Sequence, residues 1–133
     1  MSTTTIELLE ATRAHLCEFE LPAPWSVTVN TCLGKTPVEI HLHHRDSPEL
    51  ASALLAWADT LTGVTAEAWR VRDNASVHLS ITGQLRGGAW LRVYGGMPYT
   101  EHGLGADLDP DTTTTLLLSA LRHHASTEEI TRS

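Results

Sequence analysis

The stretch Gly34–Gly63, GKTPVEIHLHHRDSPELASALLAWADTLTG, decides the fold because it joins a strand to a helix through a clear stop. Apolar residues alternate with Glu39, His41 and His43, a period of two that predicts a half-buried strand. Ser47 before a proline is a typical helix start, since serine caps an amide and proline loses no hydrogen bond there. Leucines and alanines then recur at helical spacing, so a core helix should follow and end at the final glycine.

Upstream of this stretch the chain predicts one helix and one strand. Thr4 and Glu7 fit a capping box, and the apolar spacing after them predicts a helix over about residues 5–18. Two prolines then end the helix, because proline lacks the amide that a helix interior needs. Alternation over Trp25–Leu33 predicts a strand that pairs with the next one as a hairpin.

Downstream of the core helix the chain predicts a meander of strands and a final helix. Short turns separate three alternating runs, Ala66–Arg72, Ser76–Leu85 and Ala89–Gly95. Residues 96–108 lack periodicity and are long enough to be a functional loop. The acidic start at Asp109 predicts a third helix, with the run of four threonines as its first turn.

The order α-β-β-α-β-β-β-α predicts a two-layer α+β sandwich, an antiparallel sheet of about five strands with three helices packed on one face. A chain of 133 residues fits one domain, 1–133, with residues 126–133 as a disordered tail. No apolar run is long enough for a membrane span, and the amino terminus does not resemble a signal peptide. We therefore expect a soluble, cytoplasmic protein.

The charge of the chain bears on its partners. The formal net charge is −7 at pH 7, and Lys35 is the only lysine beside eight arginines. This balance argues against a protein whose main task is to neutralise nucleic-acid phosphates. A nucleic-acid-binding accessory protein that uses an arginine face is kept as a second alternative.

The sheet face away from the helices is the main candidate for a binding site. We expect Trp69 to face the core, so alternation places its neighbouring arginines on the outer face. There they lie beside aromatic and imidazole side chains, a composition enriched at protein interfaces. Neither a nucleophile elbow nor a phosphate-binding loop is present. We therefore expect a non-enzymatic binding or adaptor module, without a cofactor, that binds a protein partner or a second copy as a homodimer. The predicted partner-binding residues are Arg70, Arg72, His78, Trp90, Arg92 and Tyr94.

The alternative is a metal-dependent enzyme or metal sensor built on the first hairpin. A strand places Glu39, His41 and His43 on one face at a spacing of roughly 7 Å, and two imidazoles so placed can share a divalent metal such as zinc. His78 is the best third ligand if it shares that face, and His102 could join from the long loop. Histidines that simply decorate an exposed strand would give the same pattern.

Overall fold

The computed structural model describes residues 4–31, 36–43, 47–71, 76–98, 108, 112–123 and 125. Within these ranges the elements are α1 (Thr5–Glu18), β1 (Ser26–Val29), β2 (Val38–His41), α2 (Ser47–Ala58), β3 (Thr62–Arg70), β4 (Ser76–Gln84), β5 (Trp90–Pro98) and β6 (Thr113–Leu116). A third helix, α3, includes residues 118–123 and 125. The predicted α+β class and the order of its elements are confirmed, with one additional strand. The predicted tail and most of the predicted loop lie outside the described residues.

The two helix starts predicted from capping signals are confirmed. The Thr4 hydroxyl accepts a hydrogen bond from the Glu7 amide at 3.1 Å and caps α1. Helix α2 begins at Ser47, as the serine and proline predict, but it ends at Ala58. Gly63 has a φ of 63°, yet it lies in β3, beside a register shift, and does not cap the helix.

Within the described ranges the sheet has six strands, in the order β1-β2-β5-β4-β3-β6. The β1–β2 hairpin and the β3–β4–β5 meander are antiparallel, as predicted. The prediction of an antiparallel sheet is wrong for one pair, because β2 runs parallel to β5. After β2 the chain continues through α2 and then through the β3–β4–β5 meander, whose last strand, β5, lies beside β2. This pairing joins residues about 50 positions apart, so it leaves no local signal in the sequence.

The sixth strand replaces the predicted beginning of the third helix. Residues 113–116 pair antiparallel with β3, so that Thr113 lies opposite Trp69 and Thr115 lies opposite Glu67. Threonine is β-branched and favours strands over helices, which explains why this run joins the sheet edge. Helical structure begins only at residue 118.

All three helices pack on one side of the sheet, as predicted. Leu8 of α1 and Leu121 of α3 join the same buried core cluster as α2 and the sheet. The largest fully buried side chains are Trp57, Leu8, Ile40, Leu42, Leu50, Leu54, Leu79, Ile81, Leu91, Met97, Leu121 and Val38. Among the described ranges, no helix is both long and apolar enough to cross a membrane.

Candidate binding face of the sheet

The side of the sheet away from the helices carries mostly polar and aromatic side chains, and we call it the polar face. Alternation places these residues opposite the buried ones on each strand, and directly paired residues share a face. The described side chains of the polar face include Ser26, Thr28, Glu39, His41, Glu67, Trp69, His78, Ser80, Thr82, Trp90, Arg92, Tyr94, Thr113 and Thr115.

A continuous row of rings crosses β1, β2 and β5 on this face. The Trp25 ring meets the His41 ring edge-on with centroids 5.0 Å apart, and it contacts the His43 ring at 5.5 Å. On its other side His41 stacks on Tyr94 at 4.6 Å. The Arg92 guanidinium lies 5.4 Å from the centre of the Tyr94 ring, within the range of a cation–π contact. We call Trp25, His41, Tyr94 and Arg92 the aromatic row.

Arg92 ends the aromatic row with its hydrogen-bond donors uncommitted. Its guanidinium lies 3.8 Å from a Glu39 carboxylate oxygen, too far for a hydrogen bond, and both side chains are partly exposed. Such a solvent-screened pair contributes less than about 1 kcal/mol. Among the described residues Arg92 makes no hydrogen bond through its side chain. Its fork of donors can therefore bind an incoming carboxylate.

A small cavity of about 80 Å³ opens on the polar face across β5, β4, β3 and β6. Arg92, Glu67 and Ser80 all line it, and Ser80 is 5% exposed. Trp69, which is 40% exposed, forms a wall with the ring of His78 at 5.6 Å. The cavity thus joins two opposite charges, one buried hydroxyl and an indole ring.

The structure places four of the six predicted partner-binding residues on the polar face. Arg92 and Tyr94 belong to the aromatic row, and His78 lines the cavity. Trp90 is half-buried, with its ring over Gly63, so part of its surface is covered by the chain itself. Arg72 lies outside the described residues.

The predicted orientation of β3 is wrong, and this moves Arg70. Ala66 and Ala68 are buried in the core, whereas Trp69 lies on the polar face. Arg70 pairs with the buried Val77 and therefore lies on the core side, where its guanidinium donates to the Leu108 carbonyl at 2.8 Å. Alternating alanines and larger residues fit either orientation, and small alanines let the helices approach the sheet closely.

The predicted metal ligands do not converge. Glu39 and His41 lie on the polar face of β2, and His43 follows the strand, but Trp25 contacts both imidazoles. His78 lies on β4, two strand spacings from β2, which is about 10 Å. Among the described residues no three His, Cys, Asp or Glu side chains are grouped to hold a metal ion. His102 lies outside those residues.

Several residues of the polar face were missed by sequence reasoning. Trp25 was expected on the apolar side of β1, but it is 62% exposed and turned towards the imidazoles. Glu67 and Trp69 were missed because β3 was assigned the opposite orientation. Ser80 was placed on the correct face, but its burial depends on the neighbouring strands and gives no signal in the sequence.

Comparison with models of known protein families, with curated proteins and with solved structures gives no match. The function is therefore inferred from the polar face itself. Its rings offer rigid contact area and its arginine offers directional donors, which together suit non-covalent recognition.

Proposed function

We propose that this protein is a small binding module whose polar face takes up another protein surface, and that the simplest occupant is a second copy of the chain. The observation that carries the proposal is the aromatic row, which ends in an open tryptophan at one side and an uncommitted guanidinium at the other. Tryptophan, tyrosine and arginine are the residues that most often dominate the energy of protein interfaces.

The geometry of the aromatic row favours binding because its side chains are already ordered. His41 lies between Trp25 and Tyr94, so each ring restricts the rotamers of the next. Ordered side chains lose less conformational entropy when a partner binds, and more of the contact energy remains as affinity.

A second copy of the chain would cover the polar face in a two-fold symmetric dimer. In a two-fold dimer the same patch serves both chains, so the exposed Trp25 of one copy can pack on the row of the other. The polar face carries both signs of charge, Arg92 and Glu39 or Glu67, which allows complementary pairing between two identical surfaces.

The test compares Trp25→Ala with Ile6→Ala. Ile6 is an equally suitable exposed apolar residue, at 73% exposure, but it lies on α1, away from the polar face. In sedimentation equilibrium we expect a wild-type dimer that dissociates at least about tenfold more readily in Trp25→Ala and is unchanged in Ile6→Ala. For a separate protein partner, the same two variants serve as baits, and capture should be lost only with Trp25→Ala. A wild type that stays monomeric, together with equal capture by both baits, would contradict the proposal.

A further inference from the structure

The cavity beside the aromatic row has features that the proposed protein contact does not require. Ser80 lines the cavity and is 5% exposed as a residue, and its hydroxyl makes no hydrogen bond to any described residue. A buried hydroxyl without a partner costs free energy, so folded proteins usually satisfy it with another group, a water or a ligand. Because Ser80 lines the cavity, an occupant of the cavity can supply the missing hydrogen-bond partner.

The charges around Ser80 define the chemistry of that occupant. Glu67 on β3 lies directly opposite Ser80 on β4, and Arg92 on β5 is a diagonal neighbour of Ser80, because Arg92 lies opposite Thr82. The Arg92 side chain makes no hydrogen bond among the described residues, although it lies 3.8 Å from the Glu39 carboxylate, and Glu67 makes neither an ion pair nor a hydrogen bond among them. An arginine binds a carboxylate through its donor fork, and a carboxylate binds an ammonium group.

The size of the cavity limits the occupant to a small molecule. A volume of about 80 Å³ is well below the roughly 300–1,000 Å³ of sites for drug-sized ligands. Trp69 at the wall can cover a short aliphatic segment or lie against an ammonium group.

We propose that this cavity binds a small zwitterion, a short amino acid whose carboxylate pairs with Arg92 and whose ammonium group pairs with Glu67, with Ser80 hydrogen-bonded between them. The ligand would contact the charged groups of Arg92 and Glu67, the Ser80 hydroxyl and the indole ring of Trp69. It shares Arg92 with the aromatic row but not Trp25, so the two sites can be separated by mutation.

Isothermal titration calorimetry of the full chain tests the proposal with glycine, β-alanine and 4-aminobutanoate as probes. Butanoate and butylamine, which each carry one charged end only, are the matched controls. We expect at least one zwitterion to bind with one-to-one stoichiometry and both controls to bind at least about tenfold more weakly. No saturable binding of any zwitterion up to about 10 mM would overturn the proposal, and so would butanoate binding as tightly as the zwitterion.

Three variants locate the binding. Glu67→Gln should lower the affinity for the zwitterion at least about tenfold and leave the affinity for butanoate unchanged. Ser80→Ala should lower the affinity for the zwitterion about fivefold to tenfold. Ile6→Ala, on α1 and away from the polar face, should leave the affinity unchanged. Unchanged affinity in both cavity variants would overturn the proposal.

Ser80→Ala should also unfold at the same urea concentration as the wild type or a higher one, because it removes an unpaired buried hydroxyl. A clear loss of stability in Ser80→Ala would show that the hydroxyl has a hydrogen-bond partner in the folded protein, and it would overturn the proposal.

Discussion

His41 and Tyr94 lie side by side on the parallel strands β2 and β5 and stack face to face, with ring centroids 4.6 Å apart and ring planes 7° apart. This contact joins the amino-terminal hairpin to the meander on the polar face. The two strands are otherwise held by their ladder and by the core beneath them. The stack therefore supports both the sheet and the aromatic row.

Removal of the Tyr94 ring should destabilise the fold. We expect Tyr94→Ala to lower the free energy of unfolding by about 1–2 kcal/mol, because the variant loses a cross-strand ring pair and apolar contact area. Tyr94→Phe keeps the ring and should stay within about 0.5 kcal/mol of the wild type. Urea denaturation measures both values. An equal loss in the two variants would mean that the hydroxyl, and not the stacking, stabilises the contact.

Two glycines of the sheet should differ in their tolerance of alanine. A Cβ on Gly83 would lie 2.9 Å from the Leu61 Cβ and 3.2 Å from the Thr62 carbonyl oxygen. A Cβ on Gly95 would lie 2.7 Å from the Leu50 Cδ1, the far end of a side chain that can rotate. We expect Gly83→Ala to cost about 2 kcal/mol and Gly95→Ala less than about 1 kcal/mol, after the gain from a less flexible unfolded chain. A larger loss of stability in Gly95→Ala than in Gly83→Ala, measured by thermal or urea unfolding, would contradict the close packing of the backbone around Gly83.

His15 should make stability depend on pH. Its ring is buried between α1 and α2, and Nε2 donates to the Thr60 hydroxyl at 2.7 Å, since that hydroxyl itself donates to the Trp57 carbonyl. Burial lowers the pKa of His15 from its ordinary 6.5, while Glu18 raises the pKa and Arg86 lowers it. The stabilisation by the neutral ring is therefore complete above pH 6.5 and is lost as the pH falls through the folded-state pKa.

Urea unfolding between about pH 7.5 and pH 5 measures this effect. The wild type should lose more unfolding free energy on acidification than His15→Gln, which cannot take up the proton. Ile6→Ala is the control, because it changes an exposed residue of α1 that carries no titratable group, and it should keep the wild-type slope. A slope in His15→Gln that equals the wild-type slope would show that protonation of His15 is not coupled to folding.

The cap of α1 should contribute measurably to stability. Thr4→Ala removes the acceptor for the Glu7 amide and should lower the unfolding free energy by about 1 kcal/mol. Thr4→Ser keeps the hydroxyl and should lose less than about half of that amount. Chemical denaturation followed by circular dichroism compares the two. A serine variant as unstable as the alanine variant would argue against the capping hydrogen bond.

Local signals in the sequence were sufficient for the elements that depend on a few neighbouring residues. Thr4 with Glu7 predicted the start of α1, and Ser47 before proline predicted the start of α2. Alternation correctly predicted the faces of β4 and β5, because each of those strands has its large aliphatic residues on one side only. The same alternation placed Arg92 and Tyr94 on the polar face.

The sequence by itself thus determined the α+β class, most of the elements and the polar face of two strands, since capping and periodicity act over a few residues. Only the tertiary structure decided that β2 runs parallel to β5, that Thr113–Leu116 forms a strand, and that Trp69 faces outwards. Those outcomes depend on contacts between distant segments, where core packing and register select one pairing among several with similar local patterns. The tertiary structure also brought Trp25 to His41 and placed Ser80, Arg92 and Glu67 around one cavity.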